Sequence, residues 1–222
     1  MNQTSWELFT SSLWPIVEGA IRGTIPLTLA SFAIGLVLAL ALALMRISGR
    51  WWLSGPARAY ISVVRGTPLL VQLFVIFYGL PTIGIVLDPW PSAIAAFSIN
   101  VGGYAAEVIR AAILSVPKGQ WEAAYMIGMP RSVALRRIIL PQAARVSVPP
   151  LSNTFISLVK DTSLASLILV TEAFRKAQEI ASSTNEFMLL YVEAAAVYWV
   201  ICLALSAAQG SIEKKLDRYV AH

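Results

Sequence analysis

The sequence predicts an all-α membrane protein of about five transmembrane helices, a single membrane domain over residues 1–222. Three observations predict it. The chain is 57% hydrophobic and only 13% charged, whereas soluble domains carry roughly 25% charged residues. Five stretches, roughly 24–45, 59–80, 92–114, 150–170 and 188–208, are long enough to cross ~30 Å of hydrocarbon. The basic residues also segregate between alternate loops. With the N-terminus outside, the inner side receives Arg46, Arg50, Arg58, Arg110, Lys118, Arg131, Arg136, Arg137, Arg145, Lys214, Lys215 and Arg218, and the outer side only Arg22, Arg175 and Lys176. Inner loops carry the excess of Lys and Arg, so the N-terminus is expected outside and the C-terminus inside.

The first span contains the charge-free run 26–45. That run exceeds the short core of a secretory signal and has no basic leader, so it is expected to remain as a helix. Gly19 and Gly23 before it form G-x-x-x-G, at the ragged start of the span. Trp51 and Trp52 follow Arg50 as an interfacial belt. In the second span Gly66 and Pro68 loosen the helix beside Arg65 and can free backbone donors. The loop "PTIGIVLDPWPS" after it has no basic residue, and the outer connections are too short for a folded domain.

The third and fourth spans are poor by hydropathy, because they contain Asn100, Glu107, Arg110, Asn153, Lys160 and Asp161. In the fifth, Tyr198–Trp199 and the lone Cys202 read as packing residues, which leaves no internal disulfide. The only histidine, His222, is the last residue. A metal site is therefore not expected, and neither is a nucleophile–base pair. The formal charge of +5 would suggest nucleic acid in a soluble chain. Here the asymmetry across the membrane accounts for it, and the expected surroundings are lipid.

The inner segment 115–149 is amphipathic. Gly128 and Pro130 are expected to break it into two short helices, with Pro141 and Pro149–Pro150 punctuating its exit. It reads as an interfacial helix or as a docking surface for a cytoplasmic partner. Within it, residues 122–141 read E-A-A, three residues, G, nine residues, I-x-L-P: Glu122, Ala123, Ala124, Gly128, Ile138, Leu140 and Pro141. This resembles the EAA signature of the membrane subunits of ATP-binding-cassette importers at every defining position. "RGTPLLVQLFVIFYGLP" (65–81), "YAAEVIRAAILSVPKGQWEAA" (104–124) and "ISLVKDTSLAS" (156–166) are similar to the polar amino-acid uptake permeases of the histidine/glutamine/arginine branch. "GIVLDPWPSA" and "FRKAQEIASS" look most like bacterial L-cystine importer permeases.

The resemblance implies a type I importer permease fold with 115–149 as its cytoplasmic coupling loop, set in the bacterial inner membrane as a multi-pass subunit. It implies a second permease copy or a homologous permease, a dimer of cytoplasmic ATPases, and a periplasmic or lipid-anchored substrate-binding protein. The cargo it implies is a polar amino acid, L-cystine first, with arginine, histidine or glutamine as alternatives. No G-x-x-x-x-G-K-[ST] loop occurs, so nucleotide hydrolysis belongs to another chain. No cofactor is expected here, ATP and magnesium being held by the partner ATPase.

Asp161 lies eleven residues beyond Pro150, ~16 Å along a helix, and Asn100 lies at a similar depth in its own span. Charges at such depth face a bundle interior or a wet cavity. Asp161 can accept hydrogen bonds from an α-ammonium group; Thr162, Ser163 and Asn100 supply further polar groups, and Arg65 is a candidate for a substrate carboxylate. By resemblance, the acid of the K-D-T-S-L run would contact the substrate's amino group. Alternatively Asp161 pairs with a basic residue such as Lys160 of a second subunit. Lys160 itself suits an acid on a neighbouring helix. Glu107 and Arg110, three apart on one face, suit an ion-pair network at an inner gate. A stand-alone secondary transporter would also bury polar residues at mid-depth, but such proteins carry internal repeats and none is visible.

Overall fold

The computed structural model describes residues 5–217, so Arg218 and His222 lie outside the described residues. Among those residues the chain is helical without strands. In order come α1 (Ser5–Ile47), α2 (Trp51–Gly66), α3 (Leu69–Ile83), α4 (Pro89–Ser115), α5 (Lys118–Met126), α6 (Arg131–Ile168), α7 (Ala173–Thr184) and α8 (Phe187–Asp217). Helices α1, α4 and α8 are each long and apolar enough to cross a bilayer. Two bent pairs raise the number to five: α2 with α3, bent by 107°, and α6 with α7, bent by 46°.

The second span is therefore not one rod over 59–80. It begins at Trp51, stops after Gly66, and turns sharply before Leu69. The fourth does not begin at Pro150. It is the far end of a helix that starts at Arg131, with Pro149 and Pro150 inside it. Segment 115–149 is thus α5, a turn, and the first half of α6. The connection before α8, expected as a short loop, contains helix α7.

Three prolines are absorbed by widened turns, among them Pro141, expected to punctuate the exit of the inner segment. The π-helical turns Ala20–Thr24, Val75–Gly79 and Leu135–Ile139 each end two residues before a proline: Pro26, Pro81 and Pro141. A proline ring lacks an N–H and collides with the carbonyl four residues back. In each case the N–H just before the proline reaches five residues back instead, Ile25 to Ala20, Leu80 to Val75 and Leu140 to Leu135. The wider turn makes room for the ring, and the helix continues.

Helix α4 is the centre of the bundle. Its Ala93, Ala96, Phe97, Ala105 and Ala106 are fully buried, packed with Leu27 and Ala39 of α1, Ile61 of α2, Leu73 of α3 and Leu158 of α6. Small residues let helices approach closely where lipid supplies no hydrophobic drive. A Cβ at Gly102 would lie 2.7 Å from Leu38, and one at Gly103 would lie 2.7 Å from Val64. A second cluster joins the start of α1 to α7 and α8 through Ile16, Ala20, Ala177, Ala181, Leu190 and Ala194. The Gly19–Gly23 pair belongs to this cluster: a Cβ at Gly23 would sit 2.4 Å from the Thr171 carbonyl oxygen and 2.6 Å from Glu172 Cα.

Glu172 ties that cluster together. It is fully buried and caps α7, accepting from the backbone N–H groups of Phe174 (2.8 Å) and Arg175 (2.7 Å). The Thr24 hydroxyl of α1 donates to it at 3.5 Å, and the Tyr198 hydroxyl of α8 also donates. Tyr198 is therefore a hydrogen-bond donor besides a packing residue. A buried carboxylate is tolerable only when its oxygens are so occupied.

The break between α2 and α3 is repaired by one side chain. Gln72 Nε2 donates to the Val64 carbonyl at 2.7 Å, and lies 2.9 Å from Thr67 Oγ1 and 3.2 Å from the Thr67 carbonyl. Replacing Gln72 by Leu strands these acceptors at a cost of about 1–3 kcal/mol. The expected result is a lower unfolding temperature for the detergent-solubilised protein. Gly23→Ala is expected to cost a similar ~1–3 kcal/mol through overpacking. Gly55→Ala, where no atom lies within 4 Å of the new Cβ, is the matched control. Equal unfolding temperatures for all three variants would contradict this packing.

Candidate functional site

Helices α4 and α6 pack against each other, and the α2–α3 break meets them partway along. A cavity of about 410 Å³ opens between them. Thr67, Pro68 and Leu69 line it from the break, Asn100, Val101 and Tyr104 from α4, and Asn153, Thr154, Ser157, Leu158 and Asp161 from α6. Asp161 is the single carboxylate of this lining, which has no basic residue. Among the described residues no hydrogen bond from the chain reaches its oxygens; its electrostatic partner is the adjacent Lys160. Asn100 donates to Gln72 Oε1 at 3.1 Å, which leaves its own carbonyl as an acceptor. Asn153 Oδ1 accepts from Gln209 of α8 at 3.1 Å, leaving its NH₂ as a donor. At the rim the Arg65 guanidinium stands 5.5 Å from the centre of the Tyr104 ring, within cation–π range.

Of the residues singled out from sequence, Asn100 and Asp161 thus share one cavity, and Arg65 stands beside it on Tyr104. Thr162 and Ser163 do not line it. Thr162 is fully buried, and its hydroxyl donates to the Val159 carbonyl at 2.7 Å. The Ser163 hydroxyl donates to the Lys160 carbonyl at 2.7 Å. Each step along a helix turns ~100°, so chain neighbours of Asp161 face elsewhere. The readable signal was the four-residue spacing Asn153, Ser157, Asp161, which puts three polar residues on one helix face. Thr67 and Tyr104 carried no such signal, since their place depends on the fold. The arrangement, one carboxylate ringed by amides and hydroxyls with a cation at the rim, is complementary to a small zwitterion whose ammonium group meets Asp161.

Further along α4, Glu107 is gripped from both sides. Arg110 Nη2 lies 2.8 Å from Glu107 Oε2, and Arg46 Nη2 of α1 lies 3.2 Å from Oε1. Sequence spacing pairs Glu107 with Arg110; Arg46 enters the network only through the packing of α1 on α4. Lys160 takes no part. It is exposed and forms no ion pair within 4.0 Å among the described residues.

The E-A-A segment divides into a knob and an anchor. On α5, Glu122 and Ala123 are exposed and Ala124 is buried. Gly128 then takes φ +74, its N–H bonding to the Tyr125 carbonyl at 2.9 Å while the Met129 N–H reaches Ala124 at 3.0 Å. Glycine suits this left-handed cap because it has no Cβ to clash. The turn leaves Met126 and Ile127 87% and 72% exposed. In the anchor, Ile139 is fully buried against Ala112, Ile113 and Val116 at the end of α4, with Ile138, Leu140 and Trp121 around it. Pro141 sets the π turn that brings Ile139 there.

Comparison with known proteins places this geometry in a family. Over 221 residues the chain is 60% identical to the L-cystine transport system permease protein TcyB of Bacillus subtilis (strain 168), covering 97% of this chain and 93% of that one. It is 43% identical over 202 residues to the octopine transport system permease protein OccM of Rhizobium meliloti, covering 87% and 80%. A solved amino acid ABC transporter crystallised with histidines superposes with a TM-score of 0.89 at 35% identity, covering 97% of this chain and all of that one. Residues 14–218 match the family described as binding-protein-dependent transport system inner membrane component. The chain belongs to that family, the membrane-spanning permease subunits of ABC importers.

Proposed function

We propose that this permease conducts a polar amino acid, L-cystine in the first instance, through the cavity around Asp161. The observation that carries the proposal is a carboxylate with no hydrogen-bond donor from the chain, held among neutral polar groups in a membrane-spanning bundle. A charge so placed is costly without a partner, and the α-ammonium group of a passing amino acid supplies one. Cystine is favoured by the 60% identity to a cystine permease. Another polar amino acid is the second reading, because relatives near 40% identity carry other cargo in their names.

The remaining parts follow the same reading. The N-terminus lies outside, and α5 lies inside as the coupling element, with Glu122, Ala123, Met126 and Ile127 against the partner ATPase. A second permease, identical or homologous, completes the pathway, and a substrate-binding protein delivers cargo from outside. ATP closure moves α5, and the Ile139 anchor transmits that motion to the inner ends of α4 and α6. The Glu107 network, which bridges α1 and α4, opens and closes the inner gate.

Uptake of labelled L-cystine by cells co-expressing the permease, ATPase and binding protein tests the pathway. Asp161→Asn removes a charge-assisted hydrogen bond worth roughly 1.5–3 kcal/mol, an expected loss of tenfold or more in uptake at subsaturating cystine. Wild-type uptake by an assembled mutant transporter would remove Asp161 from the pathway. Competition by cold arginine, glutamine and histidine decides the cargo. Gly128→Val tests the coupling element, since a β-branched residue is strained at φ +74. It is expected to abolish the cargo-stimulated part of ATP hydrolysis while the ATPase's basal rate persists. Full stimulation in that variant would argue against α5 as the coupling element.

A further inference from the structure

A second cavity, separate from the one around Asp161, lies at the C-terminal end of α4. It is a cleft of about 970 Å³ between the α1–α2 turn, the last turns of α4 and the first turns of α5 and α6. Six cations line it, Arg46, Arg50, Arg58, Arg110, Lys118 and Arg131, and no carboxylate does. Glu107 engages Arg46 and Arg110. Arg50, Arg58, Lys118 and Arg131 meet no carboxylate within 4.0 Å among the described residues. Like charges gathered around one concavity repel unless an anion sits among them.

The walls between these cations are apolar: Leu44, Ile47, Leu53, Leu114 and Leu135, with Trp121. A site for a free anion has no use for such walls, and a soluble acidic partner would leave them unfilled. Trp51 and Trp52, between the lining residues Arg50 and Leu53, are 83% and 53% exposed, and the Arg50 guanidinium stands 5.6 Å over the Trp52 ring. Exposed tryptophans beside arginine mark the membrane–water boundary, so the cleft lies at headgroup depth.

We propose that this cleft binds one anionic phospholipid, its phosphate among Arg50, Arg58, Lys118 and Arg131 and an acyl chain along Leu44, Ile47 and Leu114. Basic pockets between membrane helices recognise such headgroups. The lipid would touch α1, α2, α4, α5 and α6 at once, next to the Glu107 network and to the α5 anchor. It would stiffen the joint through which α5 moves the bundle. The site is independent of which amino acid is carried.

The test uses the full permease co-purified with its ATPase, titrated with phosphatidylglycerol or phosphatidylcholine of matched chains and read by native mass spectrometry. Wild type is expected to retain phosphatidylglycerol roughly tenfold over phosphatidylcholine. The variant R50Q/R58Q/R131Q, which changes only exposed residues, is expected to lose that preference to within about twofold. R136Q/R137Q, exposed arginines outside the cleft, is expected to keep it. Unchanged retention in the cleft variant, or equal loss in both variants, would overturn the proposal. Displacement of the lipid by equimolar inorganic phosphate would reassign the cleft to a free anion. If the cleft variant keeps its lipid but loses the ATPase on purification, the cations serve the protein partner and the lipid assignment fails.

Discussion

Hydrocarbon offers no hydrogen bonds, so every backbone group and charge within the spans must find its partner inside the protein. The rest of the structure follows from that requirement. The α2–α3 break exposes carbonyls, and Gln72 answers them. Gln72 in turn holds Asn100, which lines the cavity. At the α6–α7 bend the first N–H groups of α7 are left open, and Glu172 caps them while binding α1 and α8. Polar residues that looked costly one at a time are partners for places where helices stop.

The same requirement explains why Asp161 stands out. Glu172 and Glu107 have their oxygens occupied by the chain. Asp161 does not, and it alone among these three opens into a cavity. This contrast with Glu172 and Glu107 is what the proposed role of Asp161 rests on.

The E-A-A segment divides into an exposed knob and a buried anchor. Ile138 and Leu140 pack around Ile139 and Ala124 is buried, while Glu122, Ala123 and the residues before Gly128 are exposed. The π turn before Pro141 keeps α6 continuous through the anchor. The anchor and the residues Asn153, Ser157 and Asp161 thus lie on one long helix. The cationic cleft borders the same segment.

Much of this was legible in the sequence. The number of spans, the Glu107–Arg110 pair, and Asn100 and Asp161 as polar residues facing the bundle all follow from hydropathy, spacing and the cost of charge in lipid. Pro141 and Pro149–Pro150 read as the end of a helix but lie within one, because a rule for ideal α-helices omits the π turn and the tolerance of proline inside a long packed helix. Reading Thr162 and Ser163 as neighbours of Asp161 also misled, since adjacency in sequence is not adjacency on a helix. By itself the sequence determined what must be buried and what must be exposed, because those preferences belong to single side chains and local periods. The tertiary structure alone decided which groups come together: Arg46 with Glu107, Gln72 with Asn100, Thr67 and Tyr104 in one cavity with Asp161, six cations around one cleft. Those meetings depend on helix crossings and bends, which arise only when all the helices pack at once.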